Sequence, residues 1–151
     1  MKKNVVFGLM AMVLFAVSGC LKLENQSKKD DGLILDYINK NGLTMEKHSS
    51  GLYYRIDEEG SGISPTIYNA VTVNYKGYLL NGSVFDQTDG NAVTFQLLGL
   101  IKGWQIGIPL IKKGGKILLI LPSELGYGSR ETANIPSNSV LVFEIELVNV
   151  K

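Results

Sequence analysis

Apolar and polar residues alternate from Val71 to Tyr75, where Val71, Val73 and Tyr75 are separated by Thr72 and Asn74. A period of two predicts a strand with one buried face. Asn81-Gly82, set between Leu80 and Ser83, predicts a two-residue type I′ hairpin, because both central positions of that turn take positive φ. The chain then reverses, and Phe85-Asp86 returns beside Tyr75. Phe95 and Leu97 mark another short alternating run, and Leu100 to Trp104 leads into a helix start. Positions 104, 108 and 111 form a helical stripe, but Pro109 cannot donate a hydrogen bond to Gln105, so this helix is expected to be short or irregular in its second half. Gly114-Gly115 ends it. Lys116 to Leu121 is a continuous apolar run after its first residue and predicts a buried strand, stopped by Pro122. After a long loop from Ser123 to Ser139, Leu141, Phe143, Ile145 and Leu147 face one way while Glu144 and Glu146 face the other. Upstream, Leu52, Tyr54 and Ile56 share one side of a strand from Gly51 to Ile56. Strands in series with one short helix predict an α+β fold.

The first fifty residues follow another pattern. Met1-Lys2-Lys3 is basic, Val5 to Val17 is apolar apart from Gly8, and Val17-Ser18-Gly19-Cys20 closes the run with small residues and a cysteine. This predicts a lipoprotein signal peptide over 1–19, too short for a comfortable membrane span, with Cys20 as the lipidated residue. Cys20 is the only cysteine, which leaves it unable to form a disulfide within the chain. Residues 20–32 are mostly polar, without a period, and read as a lipidated tether. Residues 33–50 read as a short helix and linker. Asp30 or Asp31 is expected to cap that helix, Ile34, Leu35 and Ile38 to share a face with Tyr37, and Asn41-Gly42 to stop it. It would be about two turns long, marginal by itself. His48 is expected to be merely solvated. The domain proper is expected over 51–151, and the segment before Gly51 to be dispensable for its chemistry.

Charge and composition then remove whole classes of function. The formal net charge is +1, and removal of Lys2 and Lys3 with the leader brings it to −1, so there is no electrostatic footprint for nucleic acid. With a single histidine, far in sequence from the motif-bearing region, Ser-His and Cys-His catalysis lack their base. No cluster has the spacing of metal ligands. The Gly-rich pieces Gly60-Ser61-Gly62 and Gly126-Tyr127-Gly128 lack the lysine and following helix of a phosphate loop. The expectation is a protein with no metal and no cofactor.

Five pieces of the chain give that expectation a direction. Tyr75, the G-x-x-F-D run from Gly82 to Asp86, the run Leu100 to Trp104, the L-G-Y-G run from Leu125 to Gly128 and the closing run Ile135 to Leu147 resemble the FK506-binding-protein (FKBP) family of peptidyl-prolyl cis/trans isomerases. They do so in the family's order and approximate spacing. The resemblance implies a bent antiparallel β-sheet wrapped around one short α-helix, with a pocket between helix and sheet. It implies a floor at Trp104, further lining by Phe85, Phe95 and Phe143, and walls from Leu100, Ile101 and Ile135. Asp86, Tyr75 and Tyr127 would carry the polar part, and the Ile101 backbone N–H would bind a ligand carbonyl. Val93 stands where familiar members carry an aromatic, which implies a more open rim. The implied substrates are proline-containing unfolded or partly folded polypeptides, with an FK506-like macrolide as a possible ligand and a monomeric chain, and the lipid anchor expected at Cys20 would place it in the bacterial cell envelope, on the periplasmic side of the outer membrane rather than the surface. A binding-only chaperone or interaction module using the same groove is the alternative.

Overall fold

The computed structural model describes residues 25–151; the signal peptide expected over 1–19 and the expected lipidation at Cys20 lie outside them. The alternating runs become antiparallel strands: β1 (Glu46–Lys47), β2 (Tyr53–Glu58), β3 (Ala70–Leu79), β4 (Val84–Gln87), β5 (Val93–Gln96), β6 (Lys116–Leu121) and β7 (Leu141–Val150). They form one sheet in the order β1-β2-β6-β7-β3-β4, with β5 also paired to β3. The longest pairing joins β3 to β7, from Val71 opposite Val150 to Leu79 opposite Leu141. Two helices complete the fold: α1 covers residues 25–40 and α2 is Lys102–Gly107.

Because β6 is apolar at every position after Lys116, both faces of the sheet need a cover. Ile117, Leu119 and Leu121 enter the core on the inner face, with Leu52, Val71, Val73 and Leu147. The cover there is α2. Gly103 and Gly107, four residues apart, turn the same side of α2 toward β6. A Cβ at Gly103 would lie 2.5 Å from a Leu121 methyl, and one at Gly107 would lie 2.6 Å from a Leu119 methyl. Glycine at both positions lets helix and strand approach closely. Pro109 acts as expected: α2 ends at Gly107 and the chain continues as a 3₁₀ turn, Ile108–Leu110.

On the outer face Leu118 and Ile120 pack with Tyr53, Val140 and Val142 beneath α1, whose Ile34 is fully buried. Here the structure corrects the sequence reading. Residues 25–32, expected to be tether, are helical, and neither Asp30 nor Asp31 caps the helix. Asp30 is fully buried within α1 and accepts hydrogen bonds from the Ser123 N–H, the Ser123 hydroxyl and the Gln26 side-chain amide. Asp31 accepts from the Tyr53 hydroxyl at 2.7 Å and pairs with Lys47. Polar docking therefore extends the helix where no apolar stripe announced one. Its end is the expected one: Gly42 has φ 60, its N–H donates to the Asn39 carbonyl, and the Leu43 N–H donates to the Ile38 carbonyl. This pair of hydrogen bonds around a left-handed glycine is a Schellman stop.

Two local expectations change as well. His48 sits in the β1–β2 turn, where its Nδ1 accepts from the Ser50 N–H at 3.1 Å, so it is held rather than only solvated. The β3–β4 turn is wider than a type I′ pair. Among the described residues Asn138 is the non-glycine residue with positive φ, so Asn81 does not meet the type I′ requirement, whereas Gly82 has φ 87. The Gly82 N–H donates to the Leu79 carbonyl and the Leu79 N–H to the Ser83 carbonyl, the pattern of a three-residue loop with glycine at its left-handed position. Asn81 contributes its side-chain oxygen, which accepts from the Ser83 N–H.

Since α1 covers an apolar face, Ile34→Ala should lower stability by ~2–5 kcal/mol in urea unfolding. Removing everything before Leu43 should cost at least as much. An unchanged midpoint for both would return α1 to the status of a dispensable appendage.

Candidate active site

Rings from four strands and α2 converge on the inner face. Tyr75 comes from β3, Phe85 from β4, Phe95 from β5, Phe143 from β7 and Trp104 from α2. Trp104, only 4% exposed, meets Tyr75 at 5.1 Å, Phe143 at 5.3 Å and Phe95 at 6.2 Å, with ring planes 82–84° apart. Phe85 stands edge-on to Phe143 at 5.5 Å. In such T-shaped pairs the positive edge of one ring points at the negative face of the next, so the cage is held by direction as well as by area. Gly77 makes room for it. A Cβ there would lie 2.7 Å from the Phe85 ring and 2.8 Å from that of Phe143.

These rings enclose a cavity of about 200 Å³, completed by Leu100, Ile101, Asp86 and Tyr127. Leu100 and Ile101 follow the 3₁₀ turn Leu97–Gly99, and Ile101 is the N-cap of α2. Helix geometry leaves an N-cap N–H without an intrahelical acceptor, which frees it for a ligand. Tyr127 follows the turn Ser123–Leu125. Its neighbours Gly126 and Gly128 both donate their N–H groups to the Ser123 carbonyl, at 3.0 and 2.8 Å. The Tyr75 hydroxyl donates to Asp86 Oδ2 at 2.6 Å. Burial first, then the Asp86 carboxylate, push the Tyr75 phenol well above its ordinary range, so it stays a protonated donor.

The cavity thus gathers all the residues singled out from the sequence except Val93 and Ile135. Val93 lies on the Phe95 side of β5, opposite Val73, and is 41% exposed. Ile135 is 5% exposed and packs in the same core as Trp104 and Phe143, but it is not among the residues that line the cavity. The reading also missed Gln105. Its side-chain amide donates to the Leu98 and Leu100 carbonyls, at 3.0 and 2.7 Å, and so fixes the segment that supplies Leu100 and Ile101. A polar residue directly after Trp104 carried no signal beyond its place in a helical run. A larger cavity of about 630 Å³ on the outer face is lined by residues such as Arg55, Lys76, Lys116, Glu144 and Glu146. Arg55 and Lys116 there are already paired with Asp57 and Glu58, so the smaller apolar cavity is the candidate site.

The model of the FKBP-type peptidyl-prolyl cis-trans isomerases matches residues 62–148, which contain the whole aromatic cage. The chain belongs to this family. An FKBP-type isomerase named FkpA from Buchnera aphidicola subsp. Schizaphis graminum is 50% identical over 110 residues, covering 71% of this chain and 44% of that relative. FkpA from Escherichia coli is 49% identical over 109 residues, covering 71% of this chain and 40% of its own length. The chain spans less than half the length of these curated relatives. The crystal structure of FkpA from Escherichia coli superposes with a TM-score of 0.74 at 37% identity, over all of this chain and 73% of that one. The likeness to a solved FKBP-type structure therefore extends beyond the cage to the chain as a whole.

The Tyr75 phenol gives this FKBP-type site an alkaline signature. A phenol whose pKa is raised on folding adds stability that is complete below its unfolded value of about 10 and is lost as pH rises through the folded value. Above pH ~10 the wild-type protein should lose stability more steeply than Tyr75→Phe. Denaturant midpoints measured in parallel across that range decide it, and identical slopes would remove Tyr75 from the linkage.

Proposed function

We propose that the chain catalyses cis/trans isomerisation of X-Pro bonds in exported polypeptides. The observation that carries this reading is an apolar, ring-walled cavity whose one carboxylate is engaged by a tyrosine hydroxyl. The amide resists rotation because resonance gives its C–N bond double-bond character, with a barrier of ~18–20 kcal/mol. Resonance also separates charge between oxygen and nitrogen, and that separation largely disappears at the twisted geometry. A cavity that replaces water with aromatic surface therefore disfavours the planar state more than the twisted one, which lowers the barrier by differential binding. In this reading the proline ring packs on Trp104, the Tyr127 hydroxyl orients the substrate carbonyl, and the Ile101 N–H holds a neighbouring one. Asp86 steers Tyr75 and attacks nothing. An FK506-like macrolide would compete for the same cavity.

Removing the Asp86 or the Tyr127 oxygen deletes about one hydrogen bond, so Asp86→Ala and Tyr127→Phe should each lower kcat/KM by roughly three- to tenfold on an X-Pro tetrapeptide. Trp104→Ala should also cost ~3–5 kcal/mol of stability. With no acid-base pair in the reaction, the wild-type rate should be flat from about pH 6 to 8. A bell in that range, with the fold intact, would assign the chemistry to a titrating group instead.

The chaperone reading draws on Val93 and Leu98, which are exposed next to the cavity segments carrying Phe95 and Leu100. Suppression of aggregation of a proline-free client, measured beside the tetrapeptide rate, separates holding from isomerising.

Cellular placement belongs to the same proposal and rests on the sequence at 1–20. Acyl chains on Cys20 would hold a monomeric domain at the periplasmic side of the outer membrane, since two or more chains give stable anchoring. Cys20→Ala should leave the protein released or unprocessed in fractionation. A variant still processed and membrane-bound would end the lipoprotein reading.

A further inference from the structure

We propose that Asp30 is a positioning residue for Tyr127. It lies on the helix covering the opposite face of the sheet, yet it is connected to the cavity through a single residue. One oxygen of the fully buried carboxylate accepts both the Ser123 N–H, at 2.9 Å, and the Ser123 hydroxyl, at 2.6 Å. Ser123, 1% exposed, then presents its carbonyl to the N–H groups of Gly126 and Gly128. Tyr127 is the residue between those two glycines. The other Asp30 oxygen accepts from Gln26 at 2.7 Å, so the carboxylate is also fixed from within its own helix.

A carboxylate removed from water is tolerated only when donors replace its hydration, and these three do so. Bonds to a charged acceptor are stronger than neutral ones, which makes this contact stiffer than an ordinary turn bond. Without it the Ser123 N–H and hydroxyl would be buried and unpaired, and the turn would relax toward water or another acceptor. The Tyr127 hydroxyl would move with that turn. A catalytic contact misplaced by about 1 Å can cost a hundredfold, so a small relaxation is enough to be measured. Helix docking alone does not require this arrangement, because Ile34 already fills the apolar contact beneath α1. The assignment rests on the reading of Tyr127 as the group that orients the substrate carbonyl.

The test uses the full chain and two readouts: kcat and KM on an X-Pro tetrapeptide, and amide hydrogen exchange at Gly126 and Gly128. Asp30→Ala should speed exchange at both glycines and lower kcat/KM about three- to tenfold, chiefly through kcat. In a Tyr127→Phe background the same change should add less than about twofold, since the hydroxyl it positions is gone. Asp30→Asn keeps an oxygen acceptor and should restore most of the rate. Ile34→Ala is the control for looser docking and should leave exchange at the two glycines slow. If Asp30→Ala behaves like Ile34→Ala, or if its kinetic effect is fully additive with Tyr127→Phe, Asp30 is only a staple and the proposal is wrong. If exchange accelerates while Tyr127→Phe alone leaves kcat/KM unchanged, the positioning stands and the substrate role of Tyr127 falls. Should Asp30→Ala fail to fold, Ser123→Ala removes one of the two Ser123 donors and carries the same comparison.

Discussion

The constraint from which the fold follows is that β6 has no face to leave in water. Ile117, Leu119 and Leu121 point one way and Leu118 and Ile120 the other, all of them buried. Each such side chain is worth ~1.5–3 kcal/mol when fully buried, so neither face of the central sheet can be left uncovered. A sheet with two apolar faces requires two covering layers, and the chain supplies one helix for each. On the inner side α2 lies close because Gly103 and Gly107 carry no side chains. That closeness brings Trp104 into the bend of the sheet, against Tyr75 and Phe143. On the outer side α1 completes the sandwich with Ile34.

Within that cavity the polar groups are few, and its one carboxylate has a defined partner. An unpaired carboxylate beside Phe85 would be costly, and the Tyr75 hydroxyl removes that cost. Burial and that bond together keep Tyr75 protonated. Edge-to-face contacts hold the rings to one another. A proline is well suited to such a site. Its ring is apolar, and its tertiary amide has already lost most of the trans preference of other peptide bonds.

Most of the sheet was legible because one-sided burial writes itself as alternation. Val71, Val73 and Tyr75 and the β7 series from Leu141 to Leu147 are clear examples, and β6 declared its two buried faces by dropping the alternation. The aromatic cage and Asp86 were legible as an ordered set through their family resemblance. The failures share a cause. The first half of α1 is docked by Asp30, braced by Gln26 of the same helix, and by Asp31, and residues that attach through hydrogen bonds resemble residues that face solvent. Asn81-Gly82 suggested a two-residue turn, but the dipeptide is equally compatible with a wider loop in which only Gly82 takes positive φ. Ile135 was apolar and close to the motif, yet composition cannot tell a cavity wall from a neighbouring position in the same core. Gln105 acts on backbone carbonyls, which have no residue type to reveal them.

On the mechanism proposed above, which uses no strong acid, base or nucleophile, these hidden contacts bear on function. A reaction accelerated by shape and dryness depends on how accurately its walls are placed, so residues that only hold backbone matter in proportion. Gln105 holds the entry to α2, Gly77 clears space for two rings, and Ser123 gathers the turn around Tyr127. The last of these lies immediately beyond β6, after Pro122. At that point the strand buried on both faces ends, Asp30 from the outer helix seizes Ser123, and Tyr127 turns into the inner cavity. Covering the outer face and placing a polar group in the inner one are therefore solved at the same residue, which is how a helix on the far side of the sheet comes to bear on the site.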